Sequence, residues 1–181
     1  MPSAHPLGVT VVHAHAATLA QARNAGLAEV HTTWTIHLDA DVELEAGYLD
    51  AMAEGTADVR APAVRYIRGG HATWPAVPKV AGHTHDCVAD CLPSGNWLVV
   101  GACVRTELIS SVGWHDFAWS EDWAAWLACY KAGATFEAIP SAIYRAHTRP
   151  GSRNRAIGPT IRNRVHHEIL ASVYPEGAPL P

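Results

Sequence analysis

Two aspartates that follow a short apolar segment constrain the fold of this chain more than any other feature. The apolar, β-branched segment Trp34–Leu38 predicts a buried strand, and Asp39 and Asp41 come directly after it. Because ligands in open α/β sheets bind beyond the carboxyl ends of the strands, carboxylates in this position are expected to face a crevice. An Asp-x-Asp pair offers the oxygen ligands that Mg²⁺ and Mn²⁺ prefer. The alternative is that Asp41 caps a helix over Glu45–Glu54 while Asp39 is solvated.

Length and composition bound the architecture and the location. The chain has 181 residues, which predicts one domain over residues 1–181 with a sizeable core. No apolar run reaches the length of a membrane span, and the N-terminus lacks a signal-peptide pattern. Four cysteines without such a signal predict reduced thiols in a cytoplasmic protein. The formal net charge of −4 argues against a surface that coats nucleic acid.

Hydrophobic periodicity predicts alternating strands and helices along the chain. Pro62 interrupts a strand over Val59–Ile67 and favours an edge position for it. Thr106 is the predicted cap of a short helix that ends at Gly113. The other predicted elements are strands at Val9–Val12, Trp97–Val104, Thr135–Ile139 and Ala142–Ala146, and helices at Ala16–Leu27, Glu45–Glu54 and Thr160–Val173.

The strongest helix signal begins at Ser120, which is a favourable N-cap. Glu121 and Asp122 complement the helix dipole in the first turn, and Gly133 lies just past the end. An apolar stripe with helical spacing predicts a face that packs in the core. Its members are Trp123, Trp126, Leu127 and Tyr130.

A long stretch without a sustained period, Arg68–Gly95, is rich in Gly, Pro and His and predicts a functional or disordered loop. Within nine residues it carries four potential zinc ligands, which are His83, His85, Cys87 and Cys91. Their spacing does not match a common zinc module. Two interpretations therefore stay open: a zinc site, and free thiols beside solvated histidines.

Several short segments follow one another in the order of motifs known from one enzyme family. They are Ala22–Leu27 (ARNAGL), Leu38–Asp41 (LDAD), Val112–Trp114 (VGW) with Ser120–Trp123 (SEDW), Ala132-Gly133, Ile139-Pro140 and Tyr144–His147 (YRAH). Together they resemble the "ARNxGL", "LDAD" and "GGW…EDW" motifs of the family-2 glycosyltransferases, which have the A-type nucleotide-sugar fold. The resemblance extends from about Val9 to Arg155. It implies a single-domain α/β, Rossmann-like fold with a mixed central sheet.

The resemblance implies a metal-dependent donor site. Asp39 and Asp41 would hold Mn²⁺ or Mg²⁺ on the donor diphosphate, with His147 as a further ligand. The cation would neutralise charge on the departing nucleoside diphosphate. The donor would be a UDP-sugar or GDP-sugar, bound by Arg23, Asn24, Ala40, Arg149, Arg153 and Arg155. Without the motif, His147 would be a hydrogen-bonded loop histidine, and Arg153 and Arg155 would belong to a solvated loop.

The resemblance also implies the catalytic base. Asp122 would take the proton from the acceptor hydroxyl as that oxygen attacks the anomeric carbon, and Glu121 would belong to the same catalytic segment. Adjacent helix positions are about 100° apart, so we expect only one of the two acids to point into the crevice. The alternative for Asp122 is ordinary dipole compensation. The implied acceptor-binding residues are Gly113, Trp114 and Trp97.

One departure from the family pattern lies at the N-terminus. Family members usually begin with a further strand–helix–strand unit, whereas only Met1–Gly8 precedes Val9 here. We expect that most of this unit is lacking. The chain would then be a pared-down enzyme, would hold the nucleoside base differently, or would have its donor site completed by a homo-oligomer or a partner chain.

The predicted activity is a metal-dependent, inverting transfer of a sugar from a nucleotide-sugar donor to an acceptor hydroxyl. Two alternatives stay open. A nucleotidyl- or phosphoryl-transferase would also use an Asp-x-Asp pair with arginines. A catalytically silent metal- or sugar-binding module would keep the same residues without turnover.

Overall fold

The computed structural model describes residues 3–4, 9–148 and 157–175, which form strands and helices around a mixed sheet. The strands are β1 (Ser3–Ala4), β2 (Thr10–Val11), β3 (Trp34–Ile36), β4 (Val42–Leu44), β5 (Val59–Arg68), β6 (His71–Ala72), β7 (Cys103–Arg105) and β8 (Phe136–Thr148). The helices are α1 (Leu19–Leu27), α2 (Tyr48–Glu54), α3 (Thr106–Val112), α4 (Glu121–Lys131) and α5 (Pro159–Val173), with a 3₁₀-helix at Ala89–Ser94. None of the helices within the described ranges combines the length and the apolar character that crossing a bilayer requires.

The central sheet joins β3, β7, β5, β8 and β4 in that spatial order, with β6 paired to β5. β5 and β8 run parallel over ten residue pairs, from Val59 opposite Phe136 to Arg68 opposite Thr148. The other pairs of this sheet are antiparallel, and β1 and β2 form a separate antiparallel pair. The prediction of an α/β fold with a mixed central sheet is therefore confirmed.

Pro62 lies in an interior strand, so the prediction that it marks an edge strand is wrong. β5 is flanked by β7 and β8, and its register with β8 shifts directly after Pro62. Pro62 lies opposite Ile139, whereas Ala63 lies opposite Ile143, so residues 140–142 of β8 bulge out of the ladder. A bulge tolerates proline because the hydrogen bonds are already interrupted there. Pro140 and Ser141, which were predicted to separate two strands, lie in this bulge, so β8 is one continuous strand.

Two predicted strands are shorter in the structure. β3 ends at Ile36, and Leu38 is 48% exposed, so the apolar run does not continue as a buried strand up to the aspartates. In the second case Trp97–Ala102 forms a buried connection, and only Cys103–Arg105 pairs in the sheet. Periodicity cannot separate a buried connection from a buried strand, because both consist of consecutive apolar residues.

Glycine signals at the helix ends are confirmed, whereas two predicted caps are wrong. Gly113 and Gly133 follow α3 and α4 with positive φ values of 70° and 85°. Thr106 is the first residue of α3, and its hydroxyl oxygen lies 2.6 Å from that of Thr35. Ser120 precedes α4 in a left-handed conformation and makes no side-chain cap. The helices α1 and α2 lie inside their predicted ranges, and α5 begins one residue early.

Two apolar clusters lie on opposite faces of the sheet. The neighbouring β7 residues Cys103 and Val104 belong to different clusters, as the alternation of side chains along a strand requires. The larger cluster contains α4, whose Trp123 and Trp126 are fully buried, together with residues of α1, α3 and α5. The predicted apolar stripe on α4 is therefore core. This packing fixes α1 and the first turn of α4, which carry most of the site.

Candidate active site

The connection between β3 and β4 carries the two aspartates. The Asp39 side chain is 40% exposed, and Asp41 is also exposed. The N–H of Val42 donates to the carbonyl of Asp39 at 3.3 Å, which closes a turn that contains Ala40. Because β3 and β4 are the two end strands of the sheet order, this connection joins one end to the other.

Arg23 of α1 binds two carboxylates that come from different parts of the chain. Its Nη1 donates to Glu121 Oε1 at 2.8 Å, and its Nη2 donates to Asp39 Oδ1 at 2.9 Å. The guanidinium also lies 4.6 Å from the centre of the Trp114 ring. A buried guanidinium is stable only when its N–H groups are satisfied, and these contacts supply that. Arg23 therefore links α1, the aspartate connection and α4.

Asn24 fixes the turn at Trp114. Its Nδ2 donates to the Trp114 carbonyl at 2.9 Å, and its Oδ1 accepts from the Trp114 N–H at 2.9 Å. This pair of bonds satisfies the backbone directly after Gly113, which ends α3. Asn24 was predicted to contact the donor, and in the structure its side-chain amide is used for positioning.

His37 is a residue that the sequence did not single out. Its Nε2 accepts from the Trp114 indole N–H at 3.1 Å, and the two rings meet edge to face with centroids 4.7 Å apart. Burial, and then the positive charge of Arg23, lower the pKa of His37 to about 4. The ring is therefore neutral at pH 7 with its proton on Nδ1, which is buried and lacks a hydrogen-bond partner among the described residues.

Asp122 lies at the start of α4 in a setting that suits a base. Its Oδ1 accepts from the N–H of Trp123 at 2.9 Å, and its Oδ2 accepts from Nδ2 of Asn96 at 3.0 Å. Burial, and then the negative charge of Glu121, raise the pKa of Asp122 to about 6. The two adjacent acids have different partners, since Glu121 binds Arg23, yet the charge of Glu121 acts on Asp122. Asn96 was not predicted, because no local pattern marks it.

Tyr144 of β8 is a second residue that the sequence did not assign to the site. It is buried, and its ring lies over Gly101, where an added Cβ would lie 2.2 Å from a ring carbon. Burial raises the pKa of Tyr144, and the negative charges of Asp39 and Asp41 raise it further. Tyr144 therefore lies near enough to the aspartate pair for their charges to act on its phenol.

His147 lies near the end of β8 and contacts Glu43. Its Nε2 is 3.3 Å from Glu43 Oε1, and it is about one-third exposed. Within the described ranges, Asp39, Asp41 and His147 do not form a group whose ligand atoms lie within 4.8 Å of one another. Arg149, Arg153 and Arg155, which were predicted to bind the donor, lie outside the described residues.

A groove of about 370 Å³ lies between α1 and the segment from Thr35 to Ala40. Its volume is in the range of small-molecule sites. Three of the predicted donor-side or metal-side residues, Arg23, Asp39 and Ala40, line it. This groove is the concave surface next to the aspartate pair.

The predicted acceptor residues are less accessible than expected. Trp97 is 1% exposed and belongs to the core, so its side chain presents no surface to an acceptor, and this prediction is corrected. Trp114 is 4% exposed because its ring packs among Arg23, His37 and Trp126. Among these three predicted residues, Gly113 is the one that is partly exposed, so its acceptor role stays a prediction.

The mixed sheet and its flanking helices define the class of fold as Rossmann-like α/β, as found in a glycosyltransferase of known structure. That structure is residues 1–349 of S. aureus TarS in complex with UDP-GlcNAc. The superposition has a TM-score of 0.57 and 16% sequence identity, and it covers 82% of this chain and 46% of the TarS chain. TarS 1–349 with UDP gives a TM-score of 0.55 and 14% identity, covering 83% of this chain and 43% of that one. This chain thus spans less than half of either structure. No protein-family model and no curated protein matches the sequence.

Proposed function

We propose that this chain is a glycosyltransferase that moves a sugar from a nucleotide-sugar donor to an acceptor hydroxyl. The observation that carries this proposal is Asp122, a carboxylate with a pKa near 6 that is held at a helix start close to the Arg23–Asp39 pair. The likeness to TarS, whose structures contain UDP-GlcNAc and UDP, supports a UDP-sugar over a GDP-sugar as the donor.

Asp39 and Asp41 would hold Mg²⁺ or Mn²⁺, with His147 as a further ligand. The donor set fits a hard cation, because it offers carboxylate oxygens that reach solvent, and Asp39 lines the groove. The cation, when bound, supplies Lewis-acid neutralisation of the diphosphate leaving group. Nucleotide oxygens would complete the coordination, so metal and nucleotide are expected to bind cooperatively.

The reaction we propose is a direct displacement with inversion. Asp122 accepts the proton of the acceptor hydroxyl while that oxygen forms a bond to the anomeric carbon. The bond between the anomeric carbon and the diphosphate oxygen breaks, and its electron pair leaves with the nucleoside diphosphate. Asn96 holds the Asp122 carboxylate in place, and Arg23 holds Asp39 against the groove. A pKa near 6 leaves Asp122 ionised and able to accept a proton at pH 7.

The first test measures donor binding and turnover. We expect UDP-GlcNAc or a related nucleotide sugar to raise the thermal midpoint of the protein in the presence of Mn²⁺. We expect slow release of nucleoside diphosphate without an acceptor. Release of pyrophosphate would favour a nucleotidyltransferase, and an absence of any nucleotide effect would favour a silent binding module.

The second test separates the metal site from general destabilisation. Asp41→Ala is expected to abolish the effect of Mn²⁺ on nucleotide affinity while the fold persists, because Asp41 is exposed. The matched control is Asp50→Ala, an exposed acid in the first turn of α2. Calorimetry that finds the same metal-dependent affinity in Asp41→Ala as in the wild type would place the metal elsewhere.

A further inference from the structure

His83 and His85 in the loop before the 3₁₀-helix lie close to Cys91 in the helix itself, and Cys87 lies beside His83. Cys87 Sγ lies 3.7 Å from His83 Nδ1, and Cys91 Sγ lies 3.6 Å from His85 Nε2. One ligand atom from each of His83, His85 and Cys91 lies within 4.8 Å of the other two. In a tetrahedral zinc site, the usual bond lengths place a nitrogen and a sulfur ligand roughly 3.6 Å apart. Each nitrogen–sulfur pair therefore has about the separation of two ligands on one zinc ion, and Cys87 offers a fourth ligand next to the group of three through its contact with His83.

The two cysteine sulfurs lie on the buried side of the cluster, and the two histidine rings lie on its solvent side. Cys87 and Cys91 are each 6% exposed and belong to the larger apolar cluster. His83 is half-buried and His85 is exposed, so a cation can reach the thiols from solvent. The N–H of Val80 donates to Cys87 Sγ at 3.3 Å, which fixes the position of the sulfur, although burial raises the pKa of the Cys87 thiol.

The loop backbone is arranged to bring these ligands together. Gly82 has a φ of +87°, and the N–H of His83 donates to the carbonyl of Val80, which closes a tight turn. Lys79 and Asp86 form an ion pair at 2.8 Å across the same turn. The N–H of Cys91 donates to the carbonyl of Val88 at the start of the 3₁₀-helix.

We propose that His83, His85, Cys87 and Cys91 form a closed structural zinc site. Two thiolates and two neutral imidazoles complete a tetrahedral set, and the two negative charges neutralise Zn²⁺. Binding releases the protons of the two thiols, so zinc affinity rises with pH. This site is separate from the proposed Asp39–Asp41 site and uses softer ligands, which select zinc over Mg²⁺.

The zinc would anchor the segment that forms one wall beside Asp122. The 3₁₀-helix that begins after Cys87 accepts the indole N–H of Trp123 on the carbonyl of Leu92 at 2.8 Å. Tyr130 of α4 donates to Asp90 Oδ1 at 2.9 Å. The same segment then presents Asn96 to Asp122. Zinc at Cys91 would therefore hold the partner of the proposed base against α4.

Metal analysis of protein prepared without chelator tests the site directly. We expect one equivalent of zinc per chain. We also expect cobalt substitution to give the visible absorption of a tetrahedral site with thiolate-to-metal charge transfer. His85→Gln is the most informative variant, because His85 is exposed and its loss leaves the apolar core intact. It should lose zinc, and so should Cys91→Ser.

Matched controls keep the test independent of folding and of the proposed function. His71→Gln and Cys103→Ser change the same residue types outside the cluster and should retain zinc. Asp41→Ala should also retain it, because the two metal sites share no ligand. A chelator should lower the thermal midpoint of the wild type and leave that of His85→Gln unchanged.

Three results would overturn the zinc site. The first is that protein from zinc-supplemented cells contains no zinc and binds no cobalt. The second is that His85→Gln and Cys91→Ser both retain zinc at wild-type stoichiometry. The third is that the native protein contains a Cys87–Cys91 disulfide. None of these results bears on turnover of a nucleotide sugar. The converse also holds, since a stoichiometric zinc that survives Asp41→Ala would stand even if no nucleotide bound.

Discussion

At the scale of single residues, Arg23 determines how the charges of the site are arranged. One guanidinium donates to Glu121 and to Asp39 with two different nitrogens. It also lowers the pKa of His37 and opposes the rise in the pKa of Asp122. The donors of a guanidinium lie on separate nitrogens in one plane and can reach two carboxylates that are far apart, whereas the donors of an ammonium all lie on a single nitrogen.

Arg23→Lys is expected to destabilise the protein although it keeps the charge. A lysine cannot reach both carboxylates in the same geometry, and losing a hydrogen bond to a buried charged group costs on the order of 1.5–3 kcal/mol. Denaturant unfolding with unchanged m-values measures the loss. Arg164→Lys is the control, because the Arg164 side chain is 69% exposed and pairs with Glu168 at the surface, so the change in stability should be within about 0.5 kcal/mol.

Asp122→Asn separates basicity from structure. We expect transfer to fall by roughly 10²–10⁴-fold, because the amide cannot accept the proton, while donor affinity is unchanged. Glu121→Gln should reduce transfer much less. Wild-type turnover by Asp122→Asn on the true acceptor would contradict the assignment of the base.

The same variant has a predicted effect on stability. The folded-state pKa of Asp122, about 6, lies above its ordinary value of 3.8, so folding favours the protonated acid. The wild type therefore loses stability as the pH rises from about 3.8 through 6, and the neutral amide removes that loss. We expect Asp122→Asn to be at least as stable as the wild type at pH 7.5. A marked destabilisation at that pH would show that the carboxylate is needed for the fold.

For His37 we expect the opposite dependence of stability on pH. Its folded-state pKa of about 4 lies below the ordinary value of 6.5. Between these two pH values the unfolded chain binds a proton on His37 that the folded chain does not bind. Stability is unaffected by this group above pH 6.5 and falls as the pH drops from 6.5 towards 4. His37→Gln keeps an acceptor for Trp114 and should flatten this slope in thermal unfolding. His31→Gln, at an exposed position, should leave the slope unchanged.

At the scale of elements, the segment after the 3₁₀-helix acts on α4 through Asn96. Its hydrogen bond to Asp122 favours the ionised carboxylate and lowers that pKa. We therefore expect Asn96→Ala to shift the acidic limb of the kcat/KM profile to higher pH, above the wild-type midpoint near 6. Asn163→Ala on the exposed side of α5 is the control. A fall in activity without a shifted midpoint would assign Asn96 a purely structural role.

The ends of helices could be predicted where the sequence signal lies at the last turn of the helix. Gly113 and Gly133 end helices because a left-handed residue after the last turn suits glycine, and this is visible in the sequence. Pro62 was misjudged because its missing donor is accommodated by a bulge in β8, which only the pairing reveals. The strand predicted over Trp97–Val104 is mostly absent, because an apolar run predicts burial but not the hydrogen-bonding pattern of the backbone.

At the scale of the whole molecule, the sequence could predict the class of fold but only part of the candidate site. Asp39, Asp41 and Asp122 could be proposed as candidates from short motifs, and their roles stay predictions. His37, Asn96 and Tyr144 gain their roles only from neighbours that are distant in sequence. Tyr144, for example, is placed by its contact with Gly101, and nothing near Tyr144 in the sequence encodes that contact.

The aspartate connection also has a mechanical consequence. The residues between Ile36 and Val42 link the strands at the two ends of the sheet order, and such a span reaches at most roughly 20 Å. The end strands of a flat five-stranded sheet would lie roughly 19 Å apart, so a fully extended connection would only just bridge them. The hydrogen bond from the Val42 N–H to the Asp39 carbonyl shortens the connection, and the sheet must therefore curl to bring its end strands closer together. A ligand held by Asp39 and Asp41 would restrain β3 and β4 at the same time. Amide exchange in β3 and β4 should therefore slow together, and to the same extent, when nucleotide and metal bind.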